Sequence, residues 1–226
     1  MALPFRLTCK PPLLVASFSE PQQMLSWSIT RPGFQKARDV AWLQVRNCDL
    51  PEGVDPIAYV KRRIGEYDLT DALALMTSRD VRRHQIEQSL IEGVVATCLT
   101  TVGLSNGERV GGRCAEPVRL PGTINTMLHL SLPLSEAAML ETLSIVVQAR
   151  TAAVLDSGAR RGGVAVTGTG TDCVVIVAPP GIDGAPYAGL HTAIGEAAGA
   201  ATYQATSRGI RTWMSDFEAL TSAKLA

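Results

Sequence analysis

Between Val164 and Glu196 the chain gathers the residue types that acid–base chemistry on an amide would use. The turn T-G-T-G-T-D sets three hydroxyls (Thr167, Thr169, Thr171) and the carboxylate of Asp172 around Gly168 and Gly170. Glycine there permits positive φ and close approach of a ligand to bare backbone. His191 and Glu196 follow within G-L-H-T-A-I-G-E. Amide hydrolysis needs a base to activate water or a hydroxyl, donors to hold the oxyanion, and an acid to protonate the leaving amine. His191, Asp172 and Glu196 can supply the acid and base; the backbone amides of 167–171, with Asn106 or Asn125, can supply the donors. An imidazole, with its ordinary pKa near 6.5, can both take and return a proton at neutral pH. The same residues also have a plainer reading. Glycine and threonine suit tight hairpins, an aspartate beside a strand caps a turn, and Thr192 is a reasonable N-cap with Glu196 at the positive end of the helix dipole.

Other chemistries find less support. His84, His129 and His191 lie on separate segments and none pairs with a cysteine at ligand spacing, so no metal site is expected. There is no P-loop, no G-x-S-x-G and no dinucleotide fingerprint in a strand–turn–helix context. The amides of G-T-G-T-D could still bind an anion. With 21 basic against 21 acidic residues, nothing electrostatic argues for nucleic acid or an anionic membrane. The five cysteines (Cys9, Cys48, Cys98, Cys114, Cys173) are scattered without a C-x-x-C pair, which favours reduced thiols in a cytoplasm. No stretch approaches the roughly 18 uninterrupted apolar residues of a membrane span. A chain of 226 residues, 46% hydrophobic, is expected to form a single domain over 1–226.

The elements that must position these groups follow from periodicity. Residues 5–9 and 13–18 read as strands around Pro11-Pro12, followed by strands at Met24–Ile29 and Val40–Val45. Asp55 caps a helix with Pro56 in its first turn, buried through Ile57, Val60 and Ile64, with Lys61, Arg62 and Arg63 on its solvated face. Ala72–Ser78 is a buried strand ending in hydroxyls, Thr77 among them; His84–Ile91 suits an edge, and β-branched Val94–Val102 suits a sheet interior. Ile124–Leu132 alternates strictly, with Asn125, Met127, His129 and Ser131 on one face. Ser135 opens a helix to about Leu155, apolar nearly all round, whose polar line Glu141, Ser144, Gln148, Thr151 faces either water or a site. Val164–Val166 and Cys173–Ala178 read as buried strands. The proline- and glycine-rich return after Ala178 is expected to bring His191 beside the 167–172 turn. An alanine-rich helix starts near Thr192 and bends or breaks at Gly209. Strand runs followed by long helices predict an α+β fold: a layered sandwich of mostly antiparallel sheet with two long helices.

Several strings together resemble the adenosylcobinamide amidohydrolase family of corrinoid salvage. T-G-T-G-T-D-C-V-V-I-V-A-P followed by Y-A-G-L-H-T-A-I-G-E is the specific part. A-L-M-T-S (74–78), T-T-V-G-L-S-N-G (100–107) and G-T-I-N-T (122–126) support it in the family's order. The resemblance implies hydrolysis of the amide joining the aminopropanol arm to the corrin ring, giving adenosylcobyric acid. It also implies a corrinoid small-molecule partner, cobalt only as part of that substrate, no cofactor of the protein's own, and a cytoplasmic role. A homo-oligomer is compatible with it. His191, Asp172 and Glu196 then become the catalytic candidates, and Thr77, Asn106, Asn125, Gln148, Thr167, Thr169 and Thr171 the substrate-binding ones. The chain departs from the family pattern at Thr30-Arg31-Pro32-Gly33 (for N-G-G), Gln148-Ala149-Arg150 (for E-A-K) and Leu190 (for lysine). A glutamine cannot act as a base, so Gln148 separates an amidohydrolase from the alternative, a non-catalytic corrinoid-binding or carrier protein on the same fold. A hydrolase for an unrelated amide is the third reading.

Overall fold

A computed structural model describes residues 1–113 and 121–223, so that Cys114 lies outside the described residues. Strands β1 (Arg6–Lys10) and β2 (Leu13–Ser26) make the hairpin expected around Pro11-Pro12. The two strands expected at 13–18 and 24–29 are one continuous β2, and the polar interruption between them is a register shift between Ser17 and Gln22 against β3 (Gly33–Gln44). A bulge adds residues to one strand without ending the ladder, which is why the sequence shows a gap where the structure shows a bend. The remaining strands are β4 (Leu73–Thr77), β5 (Gln85–Ile91), β6 (Val94–Val102), β7 (Gly107–Glu108), β8 (Ile124–Leu130), β9 (Arg160–Arg161), β10 (Val164–Ala165), β11 (Gly168–Thr169) and β12 (Cys173–Ala178). Helices are α1 (Pro56–Gly65), α2 (Glu136–Asp156) and α3 (Ala193–Ala223).

One sheet carries the fold, in the order β4-β3-β2-β12-β8-β6-β5 with β1 on β2, antiparallel except at β3–β4 and β8–β12. This is the expected α+β layered sandwich with a mostly antiparallel sheet and long helices. Its layers come from the sheet folding over on itself. Leu14, Trp42 and Leu75 from β2, β3 and β4 pack into one core with Leu99, Met127 and Val175 from β6, β8 and β12. Asn125 Nδ2 on β8 donates to Met76 O on β4 at 2.8 Å, although these strands are not sheet neighbours. The outer face of the first half is covered by α1 through Val60 and Ile64, packed on Leu13, Ala41, Leu43 and Ala74. The outer face of the second half is covered by α2 and α3.

The expected caps form: Asp55 accepts from Ile57 N, Ser135 from Ala138 N and Thr192 from Gly195 N. Each satisfies one of the helix donors that has no intrahelical partner. Strands β6, β8 and β12 are interior and β5 is an edge, as their composition predicts. Three local expectations are corrected. Ile57 is exposed, because α1 turns only Val60 and Ile64 inward. Residues 164–166 are not a buried strand: β10 pairs only with β9, and Val164 is half exposed. The apolar character of α2 leads one to expect it over all three strands β6, β8 and β12, but the cover over β6 comes from α3 and that over β12 from α2. Helix α2 is long and apolar enough to cross a bilayer, yet its stripe Met139, Val146 and Ala153 lies against the sheet.

Helix α3 passes through Gly209 without a break. The glycine is there for approach: a Cβ would sit 2.5 Å from Val102 Cγ2 on β6. Gly209→Ala is therefore expected to destabilise the protein by about 1–3 kcal/mol, the scale of overpacking, despite alanine's better helix propensity. Urea unfolding measures it; a stabilised variant would mean that Val102 yields without strain.

Candidate active site

At one end of the fold-over, the start of β8, the start of β12, the end of β4 and the segments following β2 and β3 surround a cavity of about 730 Å³. Its lining combines apolar Trp27, Ile29 and Leu50 with the polar groups of Thr77, Ser78, Asn106, Thr123, Asn125 and Thr171. Asp172 is the one carboxylate and Arg46 the one guanidinium among the described lining residues. This is the usual make-up of a small-molecule site: mostly apolar walls and a few convergent polar groups.

Asp172 explains how the walls are held. Its Oδ1 accepts from Ile124 N at 2.8 Å and from the Thr169 hydroxyl; its Oδ2 accepts from Thr169 N at 2.8 Å. Arg150 Nη1 on α2 lies 3.5 Å from Oδ2. The backbone carbonyl of Asp172 accepts from Trp27 Nε1 at 2.8 Å, which fixes the indole at the cavity's lip. One residue thus ties β8, the 167–172 turn, α2 and the chain after β2 to each other. Gly168 makes room for this: a Cβ there would meet Asp172 Oδ2 at 2.5 Å. The sequence expectation for Gly168 and Gly170 is corrected in part, since neither takes positive φ. What comes close at Gly168 is the Asp172 carboxylate.

Around this anchor, Thr171 Oγ1 donates to Gly122 O at 3.1 Å and Thr123 Oγ1 to Thr171 O at 2.9 Å, so the two polar segments brace one another. Thr77 Oγ1 accepts from Arg79 N. Asn106 is buried, and its Oδ1 has no hydrogen-bond partner among the described residues. Gly122 faces it at a distance that leaves no space for a Cβ, which would lie 2.8 Å from that oxygen. A buried amide oxygen without a partner is costly, and a ligand donor in the cavity would relieve that cost. Cys173 also lines the cavity, but burial pushes its thiol up to about 11, so it is no thiolate nucleophile at neutral pH.

Of the candidates read from the sequence, Thr77, Asn106, Asn125, Thr171 and Asp172 line this cavity. Thr169 reaches it only through Asp172, and Thr167 braces β7 and β11 by accepting from Val110 N at 2.8 Å. His191 does not lie beside the turn. Asp172 precedes β12, whereas the loop to His191 leaves the strand's other end, where Ala185 bridges to Leu134 just past β8. Six extended residues separate the two ends by roughly 20 Å. The proline-rich loop returns the chain to a helix on the outer layer rather than to the turn. His191 and Glu196 are exposed there, at the start of α3. Gln148 is also outside the cavity: it is exposed on α2, bonds Ser144, and borders a shallow groove with Leu190 and Tyr203. Of the polar line on α2, Ser144 and Gln148 face water, while Glu141 Oε2 accepts from Ala188 N at 2.6 Å.

Sequence reasoning passes over Trp27, Thr123 and Arg150. Trp27 reads as one more strand residue, and nothing local marks it as a lip. Arg150 does carry a mark. It falls on the buried stripe Met139, Thr142, Val146, Arg150, Ala153 of an apolar helix, where a charge requires a partner.

A sequence profile described as CbiZ, adenosylcobinamide amidohydrolase, matches residues 4–217. A curated adenosylcobinamide amidohydrolase from Halobacterium salinarum is 31% identical over 111 residues, which are 46% of this chain and 46% of that protein. The match thus spans about half the length of that relative. Among solved structures, the PH0078 protein from Pyrococcus horikoshii OT3 aligns over 92% of this chain and 79% of its own, at a TM-score of 0.44 and 12% identity.

Proposed function

We propose that this chain, which belongs to the adenosylcobinamide amidohydrolase family, cleaves the amide between the aminopropanol arm and the corrin ring of adenosylcobinamide or a related incomplete corrinoid. Water adds to the amide carbonyl carbon, the C–N bond breaks, the amine leaves with a proton, and the ring keeps a carboxylate, as in adenosylcobyric acid. The observation that carries the reading, beside the family match, is the partnerless Asn106 Oδ1 in a cavity edged by carboxamides and hydroxyls. Such groups recognise an amide: Asn106 offers an acceptor for its N–H, and the hydroxyl of Thr77, which accepts from Arg79 N and keeps its own proton, offers a donor for its oxygen. Trp27, Ile29 and Leu50 offer apolar surface to the edge of the macrocycle.

Acid–base work by a described lining carboxylate falls to Asp172, with one of its present contacts given up to water; the Thr169 hydroxyl, a free rotor, is the one that can turn away. His191 and Glu196 have no place in that step. We propose further that cobalt enters only with the substrate and that the reaction serves cytoplasmic corrinoid salvage. The amide- and hydroxyl-rich lining supports the first, and the free thiols of Cys9, Cys48, Cys98 and Cys173 are in keeping with the second.

Incubation with adenosylcobinamide, read by mass spectrometry, is expected to release aminopropanol and a corrin monocarboxylate. Binding in a visible-spectrum titration without released aminopropanol would instead mean a corrinoid carrier. Gln148→Glu is expected to leave turnover within about twofold, as for surface changes remote from a site. A large gain would return Gln148 to the catalytic set.

A further inference from the structure

Among the described residues, Arg150 is the only arginine or lysine that is more than nine-tenths buried, and its Nε and Nη1 find no hydrogen-bond partner there. A guanidinium has five donors, so burying it with two nitrogens unused is expensive unless its charge does something at that place. It lies behind the cavity wall, near Gly168, with Nη1 3.5 Å from Asp172 Oδ2. That carboxylate in turn holds the backbone N–H groups of Ile124 and Thr169. These two amides belong to the separate segments, 122–125 and 169–172, that supply the cavity's Thr123, Asn125 and Thr171.

We infer that Arg150 is a positioning residue: through the Asp172 carboxylate it fixes the spacing between the two backbone segments that present the polar groups of the cavity. This rests on the reading of the cavity as the substrate site. The cation sits on α2, whose N-terminal end is anchored at Ser135 and Ala185, past the ends of β8 and β12 that lie away from the cavity. The helix thereby acts as a strut between the loop end of the sheet and the cavity end. Arg150 itself does not line the cavity, so its effect on substrate passes through Asp172. A fork-shaped guanidinium is not essential to that task, because the present contact is a single ion-pair approach, and an ammonium at the same depth can make it.

The test compares wild type, Arg150→Met and Arg150→Lys as full chains, below their melting temperatures, by site-resolved amide exchange and by titration with adenosylcobinamide. In Arg150→Met, the amides of Ile124 and Thr169 should exchange roughly tenfold faster or more, with those of β5 and β6 unchanged, the signature of local opening. The corrinoid Kd should rise about tenfold in parallel. Arg150→Lys should recover most of both. Unchanged exchange at Ile124 and Thr169, or equal acceleration across every strand, overturns the inference, the second because Arg150 would then serve global stability alone. If Arg150→Met does not fold, Arg150→Lys and Arg150→Gln carry the same exchange comparison, with lysine required to protect the two amides better than glutamine. A wild type that neither binds nor cleaves adenosylcobinamide overturns the substrate reading, and the exchange map still decides the role of Arg150.

Discussion

Asp172→Ala is expected to destabilise the protein by about 3–5 kcal/mol, the cost of breaking a buried ion pair by removing one partner. Both side chains are under a tenth exposed, so water cannot screen what is left behind. The substitution strands the Arg150 charge and removes the acceptor from two buried backbone donors, Ile124 N and Thr169 N. Asp172→Asn keeps the shape and one acceptor oxygen but turns an NH2 toward a donor or a cation, so a smaller loss of the same sign is expected. Chemical denaturation read by circular dichroism measures both. A loss below about 1 kcal/mol for the alanine variant would mean that the turn holds without its carboxylate and that Asp172 does not anchor the cavity walls. Turnover of the folded fraction separates the roles. A catalytic carboxylate predicts a fall on the order of 10²-fold or more in Asp172→Asn, and a purely structural one predicts retained turnover per folded molecule.

His129 gives the second large effect, on acid stability. The ring is buried on β8, stacked on Phe18 at 5.4 Å, and its Nδ1 has no hydrogen-bond partner among the described residues. Burial disfavours the imidazolium and lowers its pKa from 6.5 to about 4. Above pH 6.5 the folded and unfolded states are both neutral at this residue and nothing is lost. Below pH 6.5 the unfolded chain takes up a proton that the folded chain refuses until about pH 4, so stability falls as pH falls through that window. A shift of this size is worth about 3 kcal/mol by pH 4. His129→Phe keeps a ring against Phe18 and cannot titrate. The stability difference between variant and wild type should therefore be flat above pH 7 and move toward the variant by about 2 kcal/mol between pH 6.5 and 5. A difference independent of pH over that range would mean that His129 is protonated without penalty.

How much of the fold and site is legible in the sequence depends on whether the information is local. The strands β6, β8 and β12 and the caps at Asp55, Ser135 and Thr192 follow from residue type and period, because burial on both faces and helix-end donors impose local demands. The fold-over of the sheet is not local. It joins β4 to β8 through Asn125, 49 residues from Met76, and no pattern within either strand announces it. The cavity exists only because of that closure, so residue type can single out Thr77, Asn106 and Asn125 while Trp27 and Thr123 pass unmarked. His191 is misplaced for a related reason. Loop composition tells that a chain turns, but not whether the segment after Ala178 runs back along β12 to the 167–172 turn or stays at the far end of the strand and enters α3 there. Gly209 misleads because a glycine in a helix has the same sequence mark whether it bends the helix or admits Val102.

The claim that the cavity between β4, β8 and β12 is where the amide is cleaved is tested most directly by kcat/KM for adenosylcobinamide in Asn106→Ala and His191→Ala, each checked for wild-type folding. Asn106 lines the cavity with a partnerless oxygen, and His191 is exposed at the opposite end of β12. Asn106→Ala should lose about 10²-fold, the scale of one removed contact to the reacting amide, and His191→Ala should stay within about twofold. The reverse result, with His191→Ala inactive and Asn106→Ala unimpaired, would contradict the cavity assignment and move the active site to the start of α3.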